Sequence, residues 1–273
     1  MQSSSVSPKE MAVSLWRNRV LAGSLIRREV IGRYRGSFMG ILWSFFNPVF
    51  MLAVYTFVFS VVFKARWSGS ASDSKIEFAL ILFTGMIVFN LFAECVNRAP
   101  GLILDHVNFV KKVVFPLEIL PVIALGAAGF HFLVSVLVWL IFYGLFFGIP
   151  HPTLMLLPLI LLPLVLFTLG ISWLLASLGV YLRDVGQIVG VITTALMFLS
   201  AIFYPVSALP EQYQIFLRLN PLTLVIEQVR QALVWGHFPD IMLWAIYLLA
   251  SVVIAWLGFA WFQKTRKGFA DVL

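Results

Sequence analysis

Side chains able to make or break bonds are few in this chain, and they do not converge. Its four histidines, His106, His131, His151 and His237, show neither the HExxH spacing nor any other interval that would aim two imidazoles at one metal. No metal site is expected. The 12 Asp and Glu are equally scattered, and a transferase or hydrolase needs an acid and a base within reach of one substrate. Glu94 and Arg98 stand four residues apart and read as an ion pair along one helix face. Asp184 directly follows Arg183 at a turn, which reads as a second local pair, and His131, alone in an apolar stretch, reads as a hydrogen-bonded packing residue. A phosphate-cradling GxxxxGK[ST] loop is missing, and no Gly-Lys dipeptide occurs at all. Any ATP that drives this protein is therefore expected on another chain, and an independent enzyme is not expected.

The elements that must carry these residues are membrane helices. Of the 273 residues, 61% are hydrophobic and 11% charged, with a mean hydropathy of +0.98. Six apolar runs, at about 41–63, 78–97, 117–147, 154–181, 186–204 and 241–262, each approach or exceed the ~20 residues a helix needs to cross the hydrocarbon. Their apolarity is continuous rather than alternating, so helices and not a β-barrel satisfy the backbone in lipid. The expected fold is all-α and polytopic: a cytoplasmic interface segment over 1–40, then a six-helix transmembrane domain over 41–273. The single Cys95 excludes an intramolecular disulfide, and no cleavable signal segment is expected at the N-terminus. An ion-coupled carrier would place carboxylates or histidines deep in its spans. Here Asn47, Thr56, Asn90, Thr193 and Thr194 are the polar members, which disfavours it.

Charge sets the expected orientation. Most of the 19 Lys and Arg flank spans on the side shared by both termini, so the positive-inside bias puts both termini in the cytoplasm. The net charge of +7 then reads as orientation plus attraction to anionic lipid; without a basic patch interleaved with aromatics, nucleic acid is not an expected partner. Residues 9–35 read as one basic helix on the membrane surface, with Arg17, Ser24, Arg28 and Arg35 along one stripe and Arg33 elsewhere. Residues 100–114 read as a short cytoplasmic helix opened by Pro100, with Val107 and Phe109 set among Asp105, Lys111 and Lys112. It suits either a partner or the lipid surface. Residues 205–240 hold two apolar helical runs too short to cross, 211–218 and 222–234, which suggests re-entrant half-helices acting as an outer gate. Gly36 with Gly40, Gly144 with Gly148 and Gly186 with Gly190 have spacings that permit close helix packing.

Several short motifs recur in order along essentially the whole chain: Arg33-Tyr34-Arg35-Gly36-Ser37, Leu42-Trp43, Asn47-Pro48, Arg183-Asp184, Tyr204-Pro205, and Asn220-Pro221 followed by Arg230. Together with six spans and this length, the chain resembles the transmembrane permease subunit of polysaccharide-exporting ABC transporters of the O-antigen, capsule and teichoic-acid type. The resemblance implies a homodimer in the bacterial inner membrane. It implies two copies of a separate nucleotide-binding ATPase that hold ATP and Mg, and a lipid-linked polysaccharide as cargo. It further implies ATPase contacts at the basic helix (Arg28, Arg33, Arg35), at the 100–114 segment (Asp105, Val107, Phe109) and at Arg183 and Asp184. The outer gate would centre on Pro205, Asn220, Pro221 and Arg230.

A channel that passes many sugars should offer aromatic faces for stacking and no charge that traps the polymer. Trp43, Phe46, Phe50 and Tyr55, with Phe198, Phe203 and Tyr204, are the expected lining, although aromatics also populate the interfacial belts of any membrane protein. Two other functions stay open on sequence: an ABC permease for another lipid or a drug, and a membrane-embedded glycan or lipid transferase.

Overall fold

The computed structural model describes residues 7–58, 75–111 and 115–273. The ends of the first expected span (59–63) and of the 100–114 segment (112–114) lie outside these. Among the described residues the secondary structure is helical throughout, with no strand.

Two helices, α1 (Pro8–Arg17) and α2 (Arg19–Tyr34), replace the single basic helix expected over 9–35. Ser7 caps α1 by accepting the Glu10 N–H, with Pro8 preset for the first helical turn. The break falls at Asn18, whose side-chain amide donates to the Ser14 carbonyl at 2.8 Å and so competes with the helical ladder. Arg35 then lies in extended backbone beyond α2, off any helical stripe.

Five stretches are long and apolar enough to span: Gly40–Val58 around α3 (Trp43–Tyr55), Ile76–Gly101 around α4 (Lys75–Arg98), Leu117–Phe147 around α6 (Leu120–Phe147), Pro152–Tyr181 around α7 (Leu157–Tyr181), and Ile241–Val272 around α11 (Ile241–Thr265). The sixth run does not form one full-length helix. Helix α8 (Val185–Phe198) has 14 residues, about 21 Å at 1.5 Å per residue, short of the ~30 Å hydrocarbon. At its end side chains take the backbone acceptors: the Phe198 carbonyl accepts from the Tyr204 hydroxyl, Leu199 O from Asn220, and the Ala201 and Ile202 carbonyls from Arg230 (2.7 and 2.6 Å). Ala201 sits at φ 50° to present them. The chain returns through two half-helices, α9 (Glu211–Leu219) and α10 (Pro221–Leu233).

The expected helix at 100–114 is instead a pair of 3-10 turns, Ala99–Gly101 and Leu104–His106, followed by the short α5 (Val107–Lys111). Leu102 and Ile103 are both buried in the cluster that holds Trp173 of α7 and Phe259 of α11, so the segment turns back onto the bundle there instead of running along the surface. A last helix, α12 (Phe269–Val272), tucks Phe269 under Tyr181 and Phe262.

Helix α4 is buried nearly all round and forms the centre. Helices α7 and α11 pack closely at two glycines: a Cβ at Gly258 would overlap the Gly170 backbone, and one at Gly170 the backbone of Ile254 and Ala255. The glycine pairs singled out by spacing do not mediate such contacts within the chain. Gly36, Gly40, Gly144, Gly148 and Gly190 face open space, and Gly186 meets only Pro100 at ordinary distance. Glu118, buried at the foot of α6, accepts from Ser14 of α1 (2.8 Å) and pairs with Arg266 after α11 (2.9 Å). That knot gathers both described ends of the chain at one end of the bundle, the termini end. Thr153 and Ala232 join at the opposite end.

Candidate functional site

Helix α2 is fastened to the bundle by two ion pairs of opposite polarity. Arg33 meets Glu94 of α4 at 2.7 Å, and one turn back along α2 Glu29 pairs with Arg98, one turn on along α4. Glu94 and Arg98 therefore do not pair with each other along α4, as their spacing suggests. Each finds a partner of opposite sign on α2, where partial burial leaves the attraction less screened than in a solvent-facing pair within one helix. Sliding α2 by one turn would bring Glu29 to Glu94 or Arg33 to Arg98, so like charges oppose every slipped register.

His131 of α6 completes the junction. Its Nδ1 lies 3.0 Å from Glu94 Oε2 and 3.1 Å from Arg33 Nη1, and its Nε2 lies 2.9 Å from the Tyr34 hydroxyl. Only a carboxylate can accept from Nδ1–H, so that proton goes to Glu94 and the guanidinium nearby donates to Glu94 rather than to the ring. Burial raises the Tyr34 hydroxyl above its ordinary value, and it enters the junction as a neutral phenol. Thr193 donates to the Asn97 side chain at 2.8 Å, attaching α8 to the same stretch of α4.

Above this junction opens a cleft of ≈ 660 Å³ between α3, α4 and α6. Trp43, Asn47, Met51 and Tyr55 line it from α3 at helical spacing; Asn90, Glu94 and Asn97 come from α4, and His131 and Ser135 from α6. Phe46 and Phe50 belong to the other face of α3 and are uncovered in the single chain, 45% and 66% exposed. The cleft holds amides, hydroxyls and aromatic faces with its one acid already paired, and so offers exchangeable hydrogen bonds rather than acid–base or nucleophilic catalysis. Among the described residues no group of three His, Cys, Asp or Glu could hold a metal.

The other expected site residues fall into two groups. At the termini end, Arg28, Arg35, Asp105, Arg183 and Asp184 are exposed. Arg183 and Asp184 form no ion pair with each other; instead the Asp184 carbonyl starts α8 by accepting from Gln187 and Ile188. Val107 is half-buried, and Phe109 is held between the His106 and Phe115 rings (5.3 and 4.3 Å). At the opposite end Phe198, exposed, stacks at a tilt on Phe203, and the Tyr204 hydroxyl donates to the Phe198 carbonyl. Asn220 ties the turn together: its amide donates to Leu199 O and Ser200 Oγ, and its Oδ1 caps α10 just before Pro221. Pro205 lies in extended backbone on the rim of the adjoining cavity.

Arg230 has no exposure, and its guanidinium reaches Ile81 O of α4 (3.1 Å), Ala201 O, Ile202 O and Glu227 of its own helix (2.9 Å). Gly85 makes room for it, since a Cβ there would stand 2.6 Å from Arg230 Nη2. The expected gate residue is thus a staple between α10, α4 and the turn after α8. Nothing in the sequence marks Glu29 or Glu118 as site residues; Tyr34 stands in the Arg33–Ser37 motif, and His131 and Glu94 stand out as a histidine and an acid in otherwise apolar spans.

Residues 21–234 match the ABC-2 type transporter family. Over 262 residues the chain is 30% identical to the O-antigen export system permease protein RfbA of Myxococcus xanthus, covering 94% of this chain and 96% of that protein. It is 27% identical to the permease of the same name from Klebsiella pneumoniae, over 91% of this chain and 93% of the other. It is 24% identical to the polysialic acid transport protein KpsM of Escherichia coli, over 91% and 94%.

Proposed function

The chain belongs to the ABC-2 type transporter family, and from that premise we propose that it is the permease subunit of an ATP-driven exporter of lipid-linked, O-antigen-like polysaccharide across the bacterial inner membrane. The observation that carries this reading is end-to-end similarity to permeases named for O-antigen and polysialic acid export, over 91–94% of this chain. The cleft supports it, because amides, hydroxyls and rings without a free charge suit transient contact with a polar polymer. An ABC ATPase hydrolyses ATP, with Mg, on a separate subunit.

The finer assembly belongs to the same proposal. Two copies of this chain pair with two ATPases. The outer face of α3, where only Leu52 is buried, and the apolar face of α8, with Ile188 and Val191 56% and 71% exposed, suit a second copy or lipid. The termini end is cytoplasmic and presents α2, the wrapped 99–111 segment and Arg183 to the ATPase. In that arrangement the opposed ion pairs make α2 and α4 one lever. Export of another lipid or a drug, and a transferase role, have no observation of their own in the structure.

Co-purification from the native membrane, followed by ATP-dependent translocation in proteoliposomes, tests the reading. A Walker-type ATPase that co-elutes and drives glycan flux is expected. A chain that modifies a lipid-linked sugar by itself would overturn it.

A further inference from the structure

Three parts of the surface at the termini end rest on one short stretch of chain, residues 265–273. Arg266 donates to Glu118 (2.9 Å), which also accepts from Ser14 of α1 (2.8 Å). Thr265 holds the end of α7: its carbonyl accepts from the Tyr181 hydroxyl (2.9 Å), two residues short of the exposed Arg183, and its own hydroxyl meets Ser177 Oγ (2.7 Å). Helix α12 then packs against α5 of the wrapped segment as well as against α7.

Phe269 fastens that stretch to the bundle. A helix of four residues has no stability of its own, so α12 depends on what it buries. Phe269 is fully buried although Lys267, Ala270 and Asp271 around it are exposed. Its ring lies edge-on to Phe262 of α11 (5.5 Å) and tilted against Tyr181 (6.0 Å). Gly268 lets the chain pass this close, since a Cβ there would stand 2.7 Å from the Tyr181 hydroxyl. The apolar cluster that contains Phe269 also contains Leu102, Ile103 and Val180, with Met11 of α1 and Phe109 of α5 packed on its edge. Side chains packed at interior density transmit displacement, so a push on the wrapped segment has a continuous path to α1 and to the end of α7.

We propose that residues 265–273 are a positioning element for the ATP-driven stroke, with Phe269 as its positioning residue: they carry displacement of the 99–111 segment to α1 and to the turn after α7. That the 99–111 segment meets an ATPase rests on the export reading above; the attachment of these parts to 265–273 does not. The α2–α4 ion pairs offer a second route to α1, and the test tells the two apart.

Hydrogen–deuterium exchange on the full permease–ATPase complex in lipid nanodiscs, without nucleotide and with ATP plus vanadate, provides that test. In the unmodified complex, exchange at both 99–111 and α1 is expected to differ between the two states. Phe269→Ala should keep the difference at 99–111 and lose it at α1; loosening of the fold alone would raise exchange in both states and leave the difference in place. Phe269→Leu, which keeps an apolar anchor, should retain most of the α1 response. So should Phe259→Leu, which disturbs the same cluster beside Trp173 (5.4 Å). If Phe269→Ala fails to assemble, Gly268→Ala decides, because its methyl displaces only the exposed Tyr181 ring and should also lose the α1 response. An α1 segment that does not respond to nucleotide in the unmodified complex, or that responds equally in these variants, would overturn the positioning role. Glycan flux on the same preparation separates the two readings: flux with an α1 response untouched by Phe269→Ala sinks only the positioning role, and a response lost in Phe269→Ala in a complex that moves no glycan sinks only the export reading.

Discussion

A guanidinium with no access to solvent persists in this bundle because four acceptors converge on it: the Glu227 carboxylate, the Ile81 carbonyl within α4, and the Ala201 and Ile202 carbonyls, which lie beyond the end of α8. Arg230 therefore acts through geometry rather than charge at a pore. Replacing it with Met keeps the volume but strands Ile81, Ala201 and Ile202 carbonyls and Glu227; a loss on the order of 3–5 kcal/mol is expected, seen as failed assembly or a large drop in melting temperature. Gly85→Ala should produce a smaller effect of the same kind, about 1–3 kcal/mol, since the new methyl displaces Arg230 Nη2. Melting curves of detergent-solubilised variants check both, and a stable, fully assembled Arg230→Met variant would contradict the staple. The sequence makes Arg230 visible only through family resemblance. Its burial depends on Ala201 and Ile202, 28 and 29 residues away, and no periodicity reports such a contact.

Helices long and apolar enough to span are legible from hydropathy because lipid tolerates little else, and α4, α6, α7 and α11 fall where their apolar runs do. Elements set by tertiary hydrogen bonds are less so. The break at Asn18, the early end of α8 at carbonyls taken by Tyr204 and Asn220, and the turns at 99–106 that carry Leu102 and Ile103 into the core each depend on contacts made only in the folded chain. The pairing of α2 with α4 is the clearest case. Glu94 and Arg98 satisfy the four-residue rule within α4, but partners across the interface exist only once the chain folds. Charge reversal tests that interface. Glu29→Arg or Arg98→Glu alone should lower coupled ATPase stimulation and stability, whereas the double exchange restores most of both, with a coupling of about 1–2 kcal/mol. Additive effects in the double variant would remove the electrostatic register. For the partner contact, charged replacements at Val107 and Phe109 should abolish ATPase stimulation with membrane insertion intact; unchanged coupling would leave this segment a lipid-surface element.

At the scale of the whole molecule, both described ends of the chain, the wrapped segment and the α2–α4 ladder gather at one end, and the Arg230 staple and the cavity beside α9 and α10 at the other. The cleft beside α3 lies between them. If the polymer passes along that cleft, Trp43→Ala and Tyr55→Ala should slow export with assembly and ATPase activity retained, and Phe replacements should restore most of the flux; each lost ring contact is worth on the order of 1 kcal/mol. Phe50, on the opposite face of α3, should tolerate Leu unless a second copy covers it. Orientation is checked with single cysteines in a Cys95→Ser background: residue 235 is expected to label from outside intact spheroplasts, and residues 105 and 267 are not. The central claim, that this chain is a polysaccharide-exporting permease powered by a separate ATPase, meets its most direct test in sealed proteoliposomes containing the co-purified complex and a lipid-linked O-antigen-type glycan. Lectin- or glycosidase-detected glycan on the far side should accumulate only with ATP and Mg and only when the ATPase subunit is present. Accumulation without that subunit, or ATP hydrolysis by the complex with no glycan crossing, would contradict the account.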